Sequence, residues 1–384
     1  MLDDRALNRA LLARQHLLTR TTDDVTTVVT HLVGLQAQNP WSPFLGLWSR
    51  VEGFTTSDLD ALLLDRTLVR LAVMRSTVHL VTARDAATLA ALTRPVLARE
   101  ITANPRRREA AARTDLDELA GHAAAYLRTA PRVTTALGAH LAERWPHAHP
   151  QDLSAFARAL LPLVQVTPRG LWRRSAATTW TTLDTWLPEH AASAPRDPDE
   201  HRRALEDVVL RYLGAYGPAS AADVQRWSGL TGLRGVLDGL RDRLVVVPAA
   251  DGAGRERLLL DLPDAPRPHP DVPAPVRLLP DYDNLWLAHA RRTRVVADEH
   301  RRALQRPNGV VPAAVLVDGR VRATWRLQHE RTGTRGTRRT TATLVVEPLE
   351  RLARTERAAV QDEAERCVRL VADDADDHVV RVAP

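Results

Sequence analysis

Two glutamines separated by one residue, Gln36 and Gln38, are the first side chains whose types and spacing suggest chemistry. On a helix their side chains would diverge by about 200°, whereas in an extended segment residues i and i+2 share a face. Pro40 disfavours a helix at Asn39, so we predict an extended segment between two helices. Two amides would then point into one cavity, where they can orient a water molecule and stabilise developing charge through their dipoles.

The residues after the pair predict how this segment is held. Asn39 can cap the next helix, with Pro40 in its first turn. Trp41, Phe44 and Trp48 follow at helical spacings. The alternative interpretation is that the glutamines lie on the surface and the aromatic side chains belong to the core.

Two further pairs of polar residues are candidates for chemistry. Asp281 and Asp283 can act as catalytic carboxylates or can fix a turn. His147 and His149 have the spacing of metal ligands but no third ligand nearby, so we expect surface positions and no metal site. No motif for a cofactor is present, and we expect none.

Basic and hydroxyl side chains in two places predict contact with a polyanion, because arginine offers planar donors to phosphate and threonine adds hydroxyl contacts. The first group alternates like one face of a strand, which is equally compatible with burial, and comprises Arg75, Thr77 and His79. The second group surrounds a predicted hairpin tip and comprises Arg331, Thr332, Thr334, Arg335, Thr337, Arg338 and Arg339. A two-stranded ribbon of this kind can enter a DNA groove, although a solvated surface hairpin is the alternative. Arg106–Arg108 and Arg291–Arg292 are further basic clusters.

Composition excludes several kinds of chemistry. The 384 residues include 53 basic residues and no lysine, so neither a Walker P-loop nor a side-chain Schiff base can form. One cysteine, Cys367, excludes an intrachain disulfide and an iron–sulfur cluster. The charged start lacks a signal-peptide core, and no apolar run approaches the roughly 20 residues of a membrane span. We therefore expect a cytoplasmic protein with no membrane partner, and the net charge of +6 predicts an anionic one.

Helices followed by a hairpin, the order of a winged helix, recur along the chain and predict an α+β fold. We place the three units at residues 1–112, 113–195 and 196–264, and a β-rich domain at 276–384 after a Pro-rich linker. The third unit has the clearest pattern, with predicted helices at Glu200–Tyr212, Ala221–Ser228 and Leu233–Arg243. The second unit is predicted to pair strands at Leu163–Thr167 and Leu171–Arg173.

Three segments of the sequence resemble a single family. GLQAQNPWSP around the glutamines, RSTVHLVTARDA at 75–86 and LLPDYDNLWLAH at 278–289 resemble the AlkZ/YcaQ family of bacterial winged-helix DNA glycosylases. The resemblance covers essentially the whole chain. It implies three tandem winged-helix modules and a β-rich domain around a C-shaped basic channel. Gln36-Ala37-Gln38 matches the Gln-X-Gln motif of the branch that unhooks interstrand crosslinks made by antibiotics, whereas the broader branch has Gln-X-Asp.

The resemblance implies a monofunctional DNA glycosylase in which Gln36 and Gln38 are catalytic. Its substrate would be double-stranded DNA carrying N7-alkylated or crosslinked guanine, and its role would be resistance to a DNA-alkylating antibiotic. An N7-alkylated guanine is cationic, so its release needs no strong general acid. We expect a nucleoid-associated monomer without lyase activity. Two alternatives stay open, namely a winged-helix transcriptional regulator and an Arg-rich protein-interaction scaffold.

Overall fold

The computed structural model describes residues 1–250, 254–304, 310–333 and 339–384. Helix and sheet are both present throughout, which confirms the mixed class predicted from the sequence. None of the helices within these ranges is long and apolar enough to cross a membrane.

The first unit, residues 1–112, surrounds a short strand that carries Gln36. Its helices are α1 (Asp4–Arg14), α2 (Val25–His31), α3 (Ser42–Trp48), α4 (Thr56–Leu64), α5 (Ala83–Ala98) and α6 (Pro105–Ala112), and its strands are β1 (Leu35–Gln36), β2 (Leu68–Ala72) and β3 (Val78–Thr82). Asp24 caps α2 by accepting a hydrogen bond from the Thr27 N–H at 2.9 Å.

The second unit, residues 113–195, shares its sheet with the first. It contains α7 (Leu116–Thr129), β4 (Arg132–Val133), α8 (Thr134–Arg144), α9 (Pro150–Leu160), β5 (Leu163–Gln165), β6 (Thr179–Thr182) and α10 (Leu183–Trp186). Strand order in the six-stranded sheet is β1-β3-β2-β5-β6-β4, so β5 extends the sheet of the first unit and β1 forms one edge.

The prediction that β5 pairs with a strand at Leu171–Arg173 is wrong. Within the second unit, β5 pairs with β6, which begins six residues after Arg173. Trp172 and Arg173 leave the sheet because their side chains hydrogen-bond to Asp373 in the C-terminal domain. A distant carboxylate therefore overrides the local strand pattern.

The third unit follows its predicted pattern closely. It comprises α11 (Pro198–Tyr216), α12 (Ala221–Ser228), α13 (Leu233–Gly239), β7 (Val245–Ala250) and β8 (Glu256–Asp261). Ser220 and Asp223 form a capping box at the start of α12, and the two strands pair as an antiparallel hairpin.

The C-terminal domain is a five-stranded sheet covered by one long helix. Its elements are β9 (Arg277–Leu279), α14 (Asn284–Leu287), α15 (Asp298–Ala303), β10 (Ala314–Val317), β11 (Arg320–Thr332), β12 (Arg339–Pro348), α16 (Arg354–Val371) and β13 (Asp377–Val382). Strand order is β13-β12-β11-β10-β9, and only the pair of β12 with β13 is parallel among these described strands. Val360 and Val368 of α16 pack on Leu344 and Val346 of β12.

The C-terminal domain is joined to the first unit through buried contacts. Arg50, at the end of α3, forms a buried two-pronged ion pair with Asp283 at 2.8 and 2.9 Å. One hydrophobic core also runs from Leu11 in α1 through Phe44 in α3 to Leu285 in α14. The segment that carries the two glutamines, which directly precedes α3, therefore lies where the first unit meets the C-terminal domain.

Candidate functional site

The two glutamines lie where the sequence predicts, in an extended segment between α2 and α3. β1 pairs antiparallel with β3, and the Ala37 N–H continues this ladder by donating to the Val78 carbonyl at 2.7 Å. Gln36 is buried, with 5% of its surface exposed, whereas Gln38 is exposed. The pair therefore spans the boundary between the protein interior and the surface.

Gln36 is held from both its backbone and its side chain. Its N–H donates to the Asn284 Oδ1 at 3.2 Å, and its Oε1 accepts a hydrogen bond from Arg75 Nη2 at 2.6 Å. Asn284 is itself fixed, because its Nδ2 donates to the Gly34 carbonyl at 2.7 Å and to the Tyr216 hydroxyl at 2.8 Å. The first unit, the third unit and the C-terminal domain thus all contribute to one amide position.

The orientation of both amides follows from their partners. The Gln38 Oε1 accepts a hydrogen bond from the Val78 N–H at 3.2 Å. Arginine and backbone N–H groups only donate, so the oxygen end of each amide faces the protein. Within the described residues, neither Gln36 nor Gln38 uses its Nε2 in a hydrogen bond to another group. The amide nitrogens, and the second lone pair of each oxygen, are the atoms left for a ligand.

Arg75 orients Gln36 from an unusual backbone conformation. It lies in the turn between β2 and β3 with φ 54° and ψ 21°, in the left-handed region. Its guanidinium also donates to the Trp227 carbonyl in α12, so the third unit fixes its position. A Cβ atom at Gly229, where φ is +81°, would lie 3.1 Å from the Arg75 Cα, so glycine allows this close approach.

His79 supports Arg75 from within the sheet. It is buried, and its Nδ1–H donates to the Thr77 carbonyl at 2.9 Å, which leaves the Nε2 lone pair facing Arg75 Nη2 at 3.5 Å. Burial and the Arg75 charge lower the pKa of His79 to about 3, so the ring is neutral near pH 7.

The predicted strand face formed by Arg75, Thr77 and His79 is wrong. Arg75 lies in the turn and Thr77 at its end, so only His79 belongs to β3. The His79 ring is enclosed in the protein and cannot reach DNA in this conformation, whereas Thr77 is half-buried and its hydroxyl donates to the Met74 carbonyl. Left-handed φ values at Arg75 and Ser76 break the strand and so break the predicted alternation.

The two carboxylates singled out in the sequence have structural partners. Asp283 pairs with Arg50 and also caps α14 by accepting from the Leu285 N–H at 2.9 Å. Asp281 accepts hydrogen bonds from Asn39 Nδ2, at 3.1 Å, and from the Ser42 hydroxyl. These contacts favour the turn-fixing interpretation of both carboxylates.

Asn39 does not cap α3 as predicted. Its Oδ1 accepts a hydrogen bond from the Trp41 N–H at 3.1 Å in a local turn, and α3 begins at Ser42 with Pro43 in its first turn. The start of α3 is shifted because Asp281 binds both the Asn39 amide and the Ser42 hydroxyl.

The Arg- and Thr-rich hairpin is present where it is predicted. β11 and β12 pair as far as Thr332 with Arg339, and Arg331 and Thr332 are exposed. Arg339 pairs with Asp377 at 2.9 Å on the surface. The predicted contact residues Thr334, Arg335, Thr337 and Arg338 lie outside the described residues.

A groove of about 840 Å³ begins next to the glutamine segment, at Asn39, and reaches the strands of this hairpin, but neither Gln36 nor Gln38 is among its described lining residues. It runs from Asn39 and Trp41 past Trp172 to Trp325 and Arg331. Trp41 is 47% exposed, and its ring centroid lies 6.2 Å from that of Trp172. The alternative interpretation, which places the aromatic side chains in the core, therefore fails at Trp41 and holds at Phe44, which is fully buried.

In the ranges that the structure describes, the histidine pair is not part of a group of metal-ligating side chains. His147 shares a hydrogen bond with the Thr114 hydroxyl at 3.1 Å, and His149 caps α9 by accepting from the Gln151 N–H. Groups of three or more metal-ligating side chains are likewise absent among those residues.

Comparison with known protein families identifies the class of this protein as the DNA glycosylases. Residues 29–370 match the sequence model of the AlkZ-like DNA glycosylases. Because this match spans most of the 384 residues, the chain belongs to the AlkZ-like DNA glycosylase family.

Two relatives of this chain are informative. A protein of Streptomyces sahachiroi described as an interstrand DNA cross-link repair glycosylase is 27% identical over 381 residues, covering 93% of this chain and 94% of its own length. The solved structure of the S. sahachiroi DNA glycosylase AlkZ superposes with a TM-score of 0.74 over the full length of both chains, at 24% identity. The structural likeness establishes the fold.

Proposed function

We propose that this protein is a monofunctional DNA glycosylase that excises N7-alkylated guanine and unhooks interstrand crosslinks, with Gln36 and Gln38 as its catalytic pair. The observation that carries the proposal is the fixed orientation of two amides, one residue apart, at the boundary between the protein interior and the surface. Arg75 holds the oxygen of Gln36 and the Val78 N–H holds that of Gln38.

The pair can hold a water molecule in a defined orientation. The water would accept a hydrogen bond from Gln36 Nε2 and donate one to the free lone pair of Gln38 Oε1. With both contacts made, the second lone pair of the water oxygen stays free to face a sugar that gains positive charge as the glycosidic bond breaks. Because the N7-alkylated base leaves as a neutral molecule, no acid is needed to protonate it.

The hairpin and the open groove fit a tethered substrate. A crosslinked guanine is attached to the opposite strand, so extrusion into a closed pocket is sterically difficult. We propose that Arg331, Thr332 and Arg339, with the Arg- and Thr-rich tip between them, contact the DNA backbone. The name of the S. sahachiroi relative supports crosslinked DNA as the substrate. Resistance to an alkylating antibiotic, and action as a monomer on nucleoid DNA, are proposed with it.

The two other candidate functions receive less support. Membership in a glycosylase family does not favour a transcriptional regulator. A protein-interaction scaffold would give no reason for an amide held in one orientation by Arg75. Both alternatives predict that no damaged base is released from DNA.

The deciding experiment is incubation of the protein with duplex DNA that carries one defined N7-guanine crosslink, followed by denaturing electrophoresis. We expect separation of the strands and an abasic site that stays intact until heat or alkali is applied. An imine with the opened sugar requires an amine, and the chain has no lysine. Release of neither strand would contradict the proposal, and strand cleavage trapped by borohydride would contradict its monofunctional part.

A further inference from the structure

A second cavity, with a volume of about 430 Å³, lies against the elements that hold Gln36. Three arginines line it, namely Arg226, Arg292 and Arg301. Its apolar wall includes Trp286 and Leu287. The cavity therefore combines an apolar surface with a concentration of positive charge.

Among the described residues, little neutralises the positive charge of this cavity. Neither Arg226 nor Arg292 forms an ion pair with a carboxylate in the part of the chain that the structure describes. The one ion pair of Arg301 within the described ranges is with Asp298 at 3.1 Å, where the side chains are 40% and 53% exposed, and such surface pairs contribute little. Burial and the charges of Arg226 and Arg301 lower the pKa of Arg292 to about 10. An anion in the cavity would relieve this repulsion.

Two residues that line the cavity are close in sequence to residues that hold Gln36 in place. Arg226 precedes Trp227, whose carbonyl accepts the hydrogen bond from Arg75. Trp286 lies two residues after Asn284, which binds the Gln36 N–H. The charges of Arg226 and Arg292 also act, together with burial, to lower the pKa of Arg75 to about 10. An anion bound here would therefore lie on the Gln36 side of the pair.

We propose that the cavity lined by Arg226, Arg292 and Arg301 binds a backbone phosphate of the lesion strand, next to the nucleotide that faces Gln36. Guanidinium groups bind phosphate through paired donors, which suits an anchor that must set the register of a strand. Contacts of this type position DNA without reading its sequence. The proposal rests on the proposed function for the identity of the anion as DNA.

The test compares Arg292→Gln with wild type on undamaged duplex DNA across a range of salt concentrations. If Arg292 contacts one phosphate, the log–log salt slope becomes shallower by about one, equally on unrelated sequences. Arg292→Lys should restore the wild-type slope, because the charge is kept. Arg369→Gln, at an exposed arginine of α16 that does not line the cavity, is the matched control and should leave the slope unchanged.

A second measurement separates anchoring from loss of structure. In single-turnover excision, Arg292→Gln should raise the protein concentration at half-maximal rate about fivefold and keep the plateau rate within about twofold, as expected for loss of binding alone. An unchanged salt slope in Arg292→Gln, or in the double variant with Arg226→Gln, would overturn the phosphate site even if the wild type excises lesions. If inorganic phosphate binds the wild type but not Arg292→Gln while the DNA slope is unchanged, the DNA assignment is overturned. A wild type that excises nothing would instead contradict the proposed function, and the binding data would still decide the phosphate site.

Discussion

The side-chain amide of Gln36 has one fixed orientation, because the guanidinium of Arg75 binds its oxygen. Arg75 donates to Gln36 Oε1 at 2.6 Å and is itself held by the Trp227 carbonyl. This arrangement makes the Nε2–H group of Gln36 the end that a substrate or water meets. Donation from a preorganised amide acts on the transition state at no cost of reorganisation during the reaction.

Gln36→Glu tests this orientation at nearly constant shape. One carboxylate oxygen would keep the contact with Arg75, while the other would replace the amide nitrogen and remove its two donors. We expect single-turnover excision to fall at least tenfold, with an unchanged melting temperature. If the oxygen faced the substrate instead, the extra negative charge beside a cationic base would leave the rate at or above that of wild type.

The sequence predicts the position of the pair but not its surroundings. Pro40 and the Gln-Ala-Gln spacing correctly predict an extended segment between two helices. The sequence pattern places Arg75 on a strand face, whereas in the structure it lies in a turn with a left-handed φ of 54°. Its guanidinium is held there by the carbonyl of Trp227, more than 150 residues away. Contacts at such separations leave no local periodicity that a reader of the sequence could use.

At the scale of elements, α3 and β1 are fixed against the C-terminal domain by buried polar contacts. Arg50 in the α3 C-cap region pairs with Asp283, and Asn284 holds β1. Gln15 in the turn after α1 adds a hydrogen bond to Arg50 at 3.3 Å. These contacts explain why a PDYDN stretch some 240 residues away shares the site with the glutamines.

Asp283→Asn should therefore destabilise the protein as a whole. It leaves the buried Arg50 charge without its counter-ion, which typically costs about 3–5 kcal/mol. Thermal unfolding should show a large drop in melting temperature. Asp281→Asn is the matched comparison, because Asp281 accepts from neutral groups and is more exposed, and it should cost less. Equal melting temperatures for Asp283→Asn and wild type would contradict the structural role of the pair.

The β11–β12 hairpin begins in the core of the C-terminal domain and extends away from it. Its base, at Ala323 and Leu344, lies in the core of the C-terminal domain, whereas Arg331 and Thr332 are exposed. The two strands pair in continuous register up to Thr332, where the sequence predicts a hairpin. By contrast, the strand predicted at Leu171–Arg173 is wrong because binding to Asp373 removes that segment from its sheet.

Replacing the segment between Arg331 and Arg339 by a short turn should affect lesion processing more than folding. Arg331, Thr332 and Arg339, which border the replaced segment, are exposed, so we expect a melting temperature within a few degrees of wild type. Unhooking of a crosslink should fall at least fivefold through lost phosphate contacts. A large fall in melting temperature would show that the hairpin end stabilises the fold.

At the scale of the whole molecule, the sequence units are not energetically separate. One core contains residues from α1, from the first two units' shared sheet and from α11 and α14. Two histidines, His79 and His289, are buried in the protein. Burial and nearby positive charge lower the pKa of His79 and of His289 to about 3.

These histidines predict a defined loss of stability in mild acid. In the unfolded chain each has a pKa of about 6.5, so between that pH and about pH 3 the unfolded state binds more protons than the folded state. The free energy of unfolding should be flat above pH 7 and fall below pH 6.5, approaching about 1.4 kcal/mol per pH unit for each such histidine. Melting temperatures from pH 8 to pH 5 measure this, and His79→Gln should show a shallower decline. Equal melting temperatures at pH 7.5 and pH 5 would contradict the burial of neutral histidines.

The central claim, that Gln36 and Gln38 carry out excision, is tested most directly by single-turnover unhooking of a defined N7-guanine crosslink with Gln36→Ala and Gln38→Ala. Loss of one oriented hydrogen bond to developing charge typically lowers a rate by about 10²–10³, and a cationic leaving group places the effect near or somewhat below the lower end of this range. We predict that each variant unhooks at least tenfold more slowly. Affinity for undamaged duplex should stay within about threefold of wild type, because the amides contribute little to phosphate binding. Unhooking at the wild-type rate by both variants would contradict the account.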